Sequence, residues 1–337
     1  MRLRRAIAAT TGLLVLGGCK YAQSPLDPSA DQAGQVYSLL QLMLWICGPM
    51  YLLVLGFLGW AIWRARRKLE PAPEPAPEAA EGGLNLSLGI WACIIVIGLT
   101  VLTAGSFLVD RSLAQASSRE QLVVRVTGQQ YWWRIAYRLP GSQTWVETAN
   151  ELHLPAGQTA RIELGSTDVI HSFWVPNVAG KTDVIPGHGN VQDVTPRRVG
   201  WFRGQCAEFC GLQHAHMAID VKVESPADFQ AWLQAQAQPA RSPADAVLMR
   251  GMQVTTGGAC AACHVIRGTA AAGRPGPDLT HLASRRSIAA GLMPFSRASV
   301  QGWIAQPAAL KPGTNMPAVS LSPSDADAVA RYLEWLK

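Results

Sequence analysis

The chain has 337 residues, of which 15% are charged and 49% apolar; an average soluble chain has roughly 25% charged residues, so a disordered or wholly soluble protein is excluded. The formal charge of +6 raises nucleic-acid binding. The basic residues, however, either edge apolar runs or scatter through the C-terminal region, and that distribution excludes nucleic acid as a partner.

In chain order, Arg2, Arg4 and Arg5 precede an apolar run from Ala6 to Leu16, so 1–18 reads as a secretory signal. The ending Leu16-Gly-Gly-Cys19 resembles a bacterial lipobox. That resemblance implies a lipidated Cys19 at the mature N-terminus, with membrane lipid as a partner. Ordinary cleavage nearby and retention as an anchor are the alternatives. Residues 19–35 then form an external N-terminal segment.

No charged residue falls within 36–63 or 84–109, and each run exceeds the about 20 residues needed to cross a bilayer. Arg64, Arg66, Arg67 and Lys68 follow the first run. The positive-inside rule therefore puts the connector 64–83 in the cytoplasm and both outer ends of the hairpin outside. Its Pro71-Ala-Pro-Glu-Pro-Ala-Pro-Glu78 tract predicts an extended chain. Cys47 and Cys93 lie inside the apolar runs and read as packing residues.

Short alternating runs at 121–126, 131–139, 160–164, 201–205 and 218–223 are separated by turn residues such as Pro155-Ala-Gly157 and Pro186-Gly187. They predict a β-sandwich across 110–225. Ser225-Pro226 starts a helix-and-linker stretch over 226–241. Ser242-Pro243 and Ser322-Pro323 repeat that signal and predict a mostly helical domain over 242–337, small enough to need a cofactor in its core.

Seven cysteines, an odd number, argue against a simple disulfide framework. Cys206-Ala-Glu-Phe-Cys210-Gly-Leu-Gln-His214-Ala-His-Met217 offers two thiols, an imidazole and a thioether, a soft set that favours copper. Zinc, which has little use for Met217, and a plain Cys206–Cys210 disulfide are the alternatives. Cys260-Ala-Ala-Cys263-His264 is the spacing for covalent c-type haem, with His264 as proximal ligand, although redox thiols and zinc knuckles share the bare pattern. A later methionine, Met293 or Met316, is needed as the sixth ligand.

The segment from Cys206 to Met217 resembles the dinuclear copper A loop of cytochrome c oxidase subunit II. Asp168-Val-Ile-His171-Ser-Phe-Trp-Val-Pro176, Lys181-Thr-Asp-Val-Ile-Pro-Gly187 and Gly128-Gln-Gln-Tyr-Trp-Trp133 resemble further stretches of that family. Lys311-Pro-Gly-Thr-Asn-Met316-Pro317 resembles the distal loop of class I cytochromes c, and Gly276-Pro-Asp-Leu279 the loop covering the proximal side of the haem. The combination resembles subunit II of the caa-type oxidases. The implied fold is a two-helix transmembrane hairpin, an all-β cupredoxin-like sandwich and an all-α class I cytochrome c domain.

The resemblance implies that His171, Cys206, the Glu208 carbonyl, Cys210, His214 and Met217 hold copper A. It likewise implies that Cys260, Cys263, His264 and Met316 hold haem c, and that the Glu208 side chain helps bind a magnesium ion shared with subunit I. The implied activity is that of a subunit of cytochrome c oxidase: electrons pass from haem c to copper A and on to subunit I, where oxygen is reduced to water coupled to proton translocation. A copper-A-containing subunit of a nitric oxide reductase is the competing reading.

Implied partners are oxidase subunits I and III. The implied electron donor is a soluble or membrane cytochrome c or a quinol–cytochrome c reductase. The implied location is the bacterial cytoplasmic membrane, multi-pass, with both cofactor domains on the periplasmic side. Two departures stand out. Tyr131 replaces the family's usual tryptophan at a position associated with electrons entering from soluble cytochrome c, and Leu88-Gly-Ile precedes Trp91 without the glutamate that opens a proton path in many relatives. His153, His188 and His216 read as surface or neighbouring residues outside the ligand pattern.

Overall fold

The computed structural model describes residues 22–67, 79–114, 122–139 and 141–337. The signal 1–18, Cys19, Lys68 and the Pro/Glu tract lie outside the described residues.

One unit, 34–116, holds most of two long helices, Asp31–Arg67 and Ala79–Ala114. Both are long and apolar enough to cross a membrane. At 1.5 Å rise per residue their 37 and 36 residues run well past the uncharged stretches. The first helix carries Asp31 in its first turn and Arg64, Arg66 and Arg67 in its last, the polarity that suits a helix dipole. A Cβ added at Gly105 would lie 2.8 Å from Leu42 Cδ2 and one at Gly98 would lie 3.4 Å from Ile46 Cγ2. Small residues thus let the two helices approach closely. Cys47 and Cys93 are exposed on the hairpin rather than buried within it.

The other unit carries a β-sandwich followed by a helical domain. Its strands are β1 Leu122–Gln129, β2 Trp132–Arg138, β3 Trp145–Ala149, β4 Glu151–Pro155, β5 Ala160–Ser166, β6 His171–Trp174, β7 Thr182–Val184, β8 Asn190–Val194, β9 Gly200–Cys206 and β10 Ala218–Glu224. The first sheet has the order β3-β2-β1-β5-β8 and the second β4-β10-β9-β6-β7. Pairing is antiparallel except for β1 with β5 and β4 with β10.

Alternation in the sequence becomes alternation of burial: Ala160, Ile162 and Leu164 of β5 turn inward while Arg161 and Glu163 do not. Inward residues of both sheets, among them Trp133, Ile135, Tyr137, Leu152, Phe173 and Ile219, form one core. The segment before the first helix is tied to the sandwich. Ser29 N–H donates to the Asn177 carbonyl at 2.7 Å, and Arg198 and Arg197 pair with Asp27 and Asp31.

Helix Pro226–Ala237 is capped by Ser225, whose hydroxyl accepts from Asp228 N–H, and it buries Phe229 and Leu233. The helical domain is built on Ala246–Gly257, Arg297–Ala305 and Pro323–Trp335. Ser322 caps the last helix as its sequence predicts. Ser242 does not cap the first: Asp245 does, because its carboxylate accepts from both Val247 and Leu248 N–H and satisfies two orphan donors at once. Gly251 lets that helix cross the last one, since a Cβ there would lie 2.1 Å from the Ala328 carbonyl oxygen.

Candidate metal and haem centres

The sandwich brings the predicted soft donors to one end. His171 opens β6, Cys206 closes β9 opposite Phe173, and the loop from Cys206 returns to β10 at Ala218. Cys206 Sγ lies 3.9 Å from His171 Nδ1 and 3.9 Å from Cys210 Sγ. Cys210 Sγ in turn lies 3.9 Å from His214 Nδ1 and 3.9 Å from Met217 Sδ. The Glu208 carbonyl oxygen is 3.2 Å from Cys206 Sγ, whereas its carboxylate points outward and accepts from Phe209 N–H at 3.2 Å.

Both thiols are free, and their separation is far beyond the about 2.05 Å of a disulfide. His171, Cys206, Cys210 and Met217 are buried, and the ligand atoms of the first three lie within 4.8 Å of one another. The donors are soft, convergent and shielded from water, which fits copper and gives hard cations nothing to hold.

The electrostatics agree. The hydrogen bond from the Cys210 thiol pulls Cys206 down to about 3 against the effect of burial, and His171 assists. The Cys206 thiolate, with burial, pushes Cys210 up. One sulfur is lowered and the other raised, so the pair shares a proton that a metal held by these cysteines would displace. Burial works against the His171 imidazolium, but Cys206 and Asp168 outweigh it and raise this group. Asp168 Oδ1 lies 2.9 Å from His171 Nε2, a carboxylate placed to orient the ring while Nδ1 faces the sulfurs. A Cβ at Gly128 would lie 2.8 Å from His171 Cδ2, so β1 needs glycine where the ring passes.

In the helical domain, Cys260, Cys263 and His264 border a cavity with Met316 and the apolar Leu282 and Ile304. Met293 instead lies in a two-residue strand and is partly buried against the helical core. His264 Nδ1 lies 2.8 Å from the Pro277 carbonyl; donation there leaves Nε2 free as a ligand atom. Burial, outweighing that carbonyl, holds His264 below the usual imidazole range and hence neutral. Arg285 also borders the cavity, is buried, and its Nε has no hydrogen-bond partner among the described residues. Two free thiols, a neutral imidazole, a thioether and a buried guanidinium whose Nε lacks a partner, although its Nη2 donates to the Asp278 carbonyl, fit a haem with anionic propionates.

Tyr131 is covered, with 9% of its surface exposed. Its hydroxyl accepts from Leu212 N–H at 3.1 Å in the cysteine loop. Gln130 Nε2 donates to the Cys210 carbonyl at 2.7 Å, and Asn315 Nδ2 donates to the Gln130 carbonyl at 3.1 Å. The residue beside Met316 is thereby linked through Gln130 to a cysteine of the other centre.

His188 and His216 are exposed, as the sequence reading expects. His153 is not: it is buried, with Nδ1 2.7 Å from Glu224 and Nε2 2.9 Å from Glu151, and its ring stacks on Trp232 at 3.8 Å. The i, i+2 spacing of Glu151 and His153 on β4 could have flagged that pair, but Glu224 reaches the ring through strand pairing that the sequence does not display.

Residues 138–224 match the family described as cytochrome c oxidase subunit II, periplasmic domain, and residues 248–337 match cytochrome c. The cytochrome c oxidase subunit 2 of Alkalihalophilus pseudofirmus is 30% identical over 332 residues, covering 96% of this chain and 94% of that protein. That of Bacillus subtilis is 30% identical over 346 residues, covering 96% and 95%. The crystal structure of the periplasmic domain of subunit II of cytochrome oxidase of Bradyrhizobium japonicum is 30% identical, with a TM-score of 0.32, and covers 35% of this chain and 94% of that one. With the likeness running over nearly its whole length and both soluble domains matched, the chain belongs to the cytochrome c oxidase subunit II family.

Proposed function

We propose that this chain is the electron-carrying subunit II of a haem-copper terminal oxidase, working with subunits I and III in the bacterial cytoplasmic membrane. In this reading His171, Cys206, the Glu208 carbonyl, Cys210, His214 and Met217 hold dinuclear copper A, and Cys260, Cys263, His264 and Met316 hold haem c. When bound, the two groups supply one-electron carriers, haem c on the donor side and copper A on the side of subunit I, where oxygen is reduced to water coupled to proton translocation. The convergence of the five donors of the 206–217 loop with the sequence-distant His171 at one end of the sandwich is the observation that carries the reading. Relatives named cytochrome c oxidase favour oxygen over nitric oxide as the final acceptor.

The protein's own residues orient ligands and exclude water. Asp168 fixes the His171 ring, and the Pro277 carbonyl fixes His264. Trp133 meets His171 and Phe173 edge-on, with ring centroids at 6.0 and 5.7 Å, and keeps the inner side of the copper loop dry. Such a rigid setting suits a carrier that must change charge with little movement. Met316 together with His264 would hold the haem and raise its potential.

The exposed Glu208 carboxylate is free to meet a magnesium ion at the border with subunit I, a hard ligand for a hard cation. The buried position of Tyr131 supports a donor that hands electrons to the haem domain rather than to the aromatic strand directly. Lipidation of Cys19 and two membrane crossings with both soluble domains outside complete the reading.

Beyond the copper and haem of subunit I, the purified oxidase is expected to contain two coppers and one covalent haem per copy of this chain, counted by metal analysis and the visible spectrum. One copper, or zinc in its place, would overturn the dinuclear assignment. Met316→Ala is expected to keep the haem attached but lower its potential and open the iron to added ligands, whereas Met293→Ala does neither.

A further inference from the structure

Lys311 opens the loop that carries Met316, yet it is 2% exposed. Its Nζ lies 3.0 Å from the Tyr131 carbonyl, 2.9 Å from the His216 carbonyl and 3.0 Å from the Ala289 carbonyl. An ammonium has three N–H donors and no acceptor, so this cup uses every donor the side chain has. The partners are carbonyl dipoles rather than a countercharge, which makes the contact demanding in geometry. Two of the three belong to the sandwich: Tyr131 leads into β2, and His216 stands one residue before Met217 in the copper loop.

The third carbonyl belongs to a strained turn. Ala289, Ala290 and Gly291 have φ of 54°, 61° and 77°, a left-handed run that alanine adopts only at a cost. Such conformations persist where the surroundings over-determine them. Here Lys311 holds the Ala289 carbonyl, and Ala218 N–H, the next residue after Met217, donates to the Ala290 carbonyl at 3.1 Å. The Met316 loop also lies close to the copper loop, since a Cβ at Gly313 would come within 3.0 Å of Leu212 Cδ1. Burial lowers the Lys311 ammonium to about 8 while Cys210 acts the other way, so the cation is retained at neutral pH.

We propose that Lys311 is the positioning residue that seats the haem domain on the copper loop, its three donors holding Tyr131, His216 and Ala289 so that the Met316 loop and the His214–Met217 turn keep one separation. The inference rests on the function proposed above and deepens it. With haem held by Cys260, Cys263, His264 and Met316 and copper by the 206–217 loop and His171, the step served would pass a single electron from one group to the other, with no bond formed or broken and no proton moved. Distance and docking are therefore what the protein controls, and Lys311 sets both.

The test uses the whole oxidase with Lys311→Met, which keeps most of the stem and removes the donors. Leaving even one buried carbonyl without its donor shifts the docking equilibrium on the order of tenfold. Haem-to-copper transfer after rapid photoreduction of the haem is expected to slow by about that factor or more. Copper and haem content and the potentials of both centres are expected to stay unchanged. Amide hydrogen exchange at 214–218 and 289–291 is expected to quicken.

Arg274→Ala is the control. It removes an interdomain ion pair to Glu147 that is 72% exposed on the arginine side and is expected to change transfer less than about twofold. Transfer and exchange at wild-type rates in Lys311→Met overturn the inference, as does an equal slowing by Arg274→Ala. If Lys311→Met sheds a cofactor, Lys311→Arg carries the test, because a planar fork cannot reproduce the three-carbonyl cup. Slower transfer with full cofactor content then supports the inference, and wild-type transfer overturns it. A wild-type oxidase lacking copper or haem defeats the functional reading itself, a result distinct from wild-type cofactors with undiminished transfer in the variant.

Discussion

The copper loop and the haem pocket reach their donor sets by opposite routes. In the sandwich, ligands hang from β6 and β9 and from the loop into β10, strands whose ladders and core are complete by themselves. The sulfurs and imidazoles therefore stand ready at 3.9 Å spacings. In the helical domain the donors sit on turns and loops around a cavity, and flanking apolar residues such as Leu279, Trp303 and Ile304 are only partly buried. A sheet preorganises its site, whereas a helical domain of this size needs the cofactor as part of its core.

The sharpest way to break that contrast is to remove each cofactor in turn. Cys206→Ser is expected to abolish the mixed-valence copper signal while leaving the haem spectrum and the circular dichroism of the sandwich nearly unchanged. Cys260→Ala with Cys263→Ala is expected to do the reverse. Copper stays bound, but hydrogen-exchange protection across 246–335 collapses, because the helices lose the group they surround. Equal loss of protection in both domains would show that the two regions fold as one.

A smaller effect sharpens the account of the preorganised site. Asp168→Ala frees the His171 ring and is expected to weaken copper binding by about 10–100-fold, measured by competition with a chelator, with the haem untouched. Unchanged affinity would leave the strand alone responsible for aiming the imidazole.

The smallest expected effect concerns the sandwich's own stability. Burial alone would raise the Glu224 carboxyl, but hydrogen bonds from His153 and Lys222 outweigh it and hold the group below its ordinary value of 4.5. The folded form thus binds this proton less readily than the unfolded one. The stability it contributes is present above about pH 4.5 and is lost as pH falls through the folded value. Glu224→Gln, which keeps an acceptor oxygen but removes the charge, is expected to cost about 1 kcal/mol at neutral pH and to flatten the acid limb of the denaturation profile. An unchanged acid limb would shift that role to other carboxylates.

The basic surplus of the C-terminal region survives folding. Arg250, Arg267, Arg297 and Arg331 pair with Asp325, Asp278, Glu334 and Asp327, acids of the same region that the surplus already counts. Among the described residues, only Arg274, which reaches Glu147 across the domain boundary, draws on an acid from outside it.

Both donor sets were largely legible as strings, because Cys206 to Met217 and Cys260 to His264 are each local in sequence and their spacing is itself the chemistry. The uncharged runs within 36–63 and 84–109 were legible for the same reason, since a membrane reads composition along a single segment. Partnerships across long separations were not. His171 meets Cys206 only through the β6–β9 ladder, and His153, whose neighbour Glu151 is local in sequence, finds Glu224 only because β4 and β10 lie side by side. Met316 was already separated from Met293 by the resemblance of its loop to that of class I cytochromes c, and it is Met316 that borders the cavity. Lys311 looked like any loop lysine until folding put three carbonyl oxygens, one of them 180 residues away, around its ammonium. Spacing records what a chain can ligate, but the cost of burying a polar group is met by whatever the tertiary fold brings alongside it.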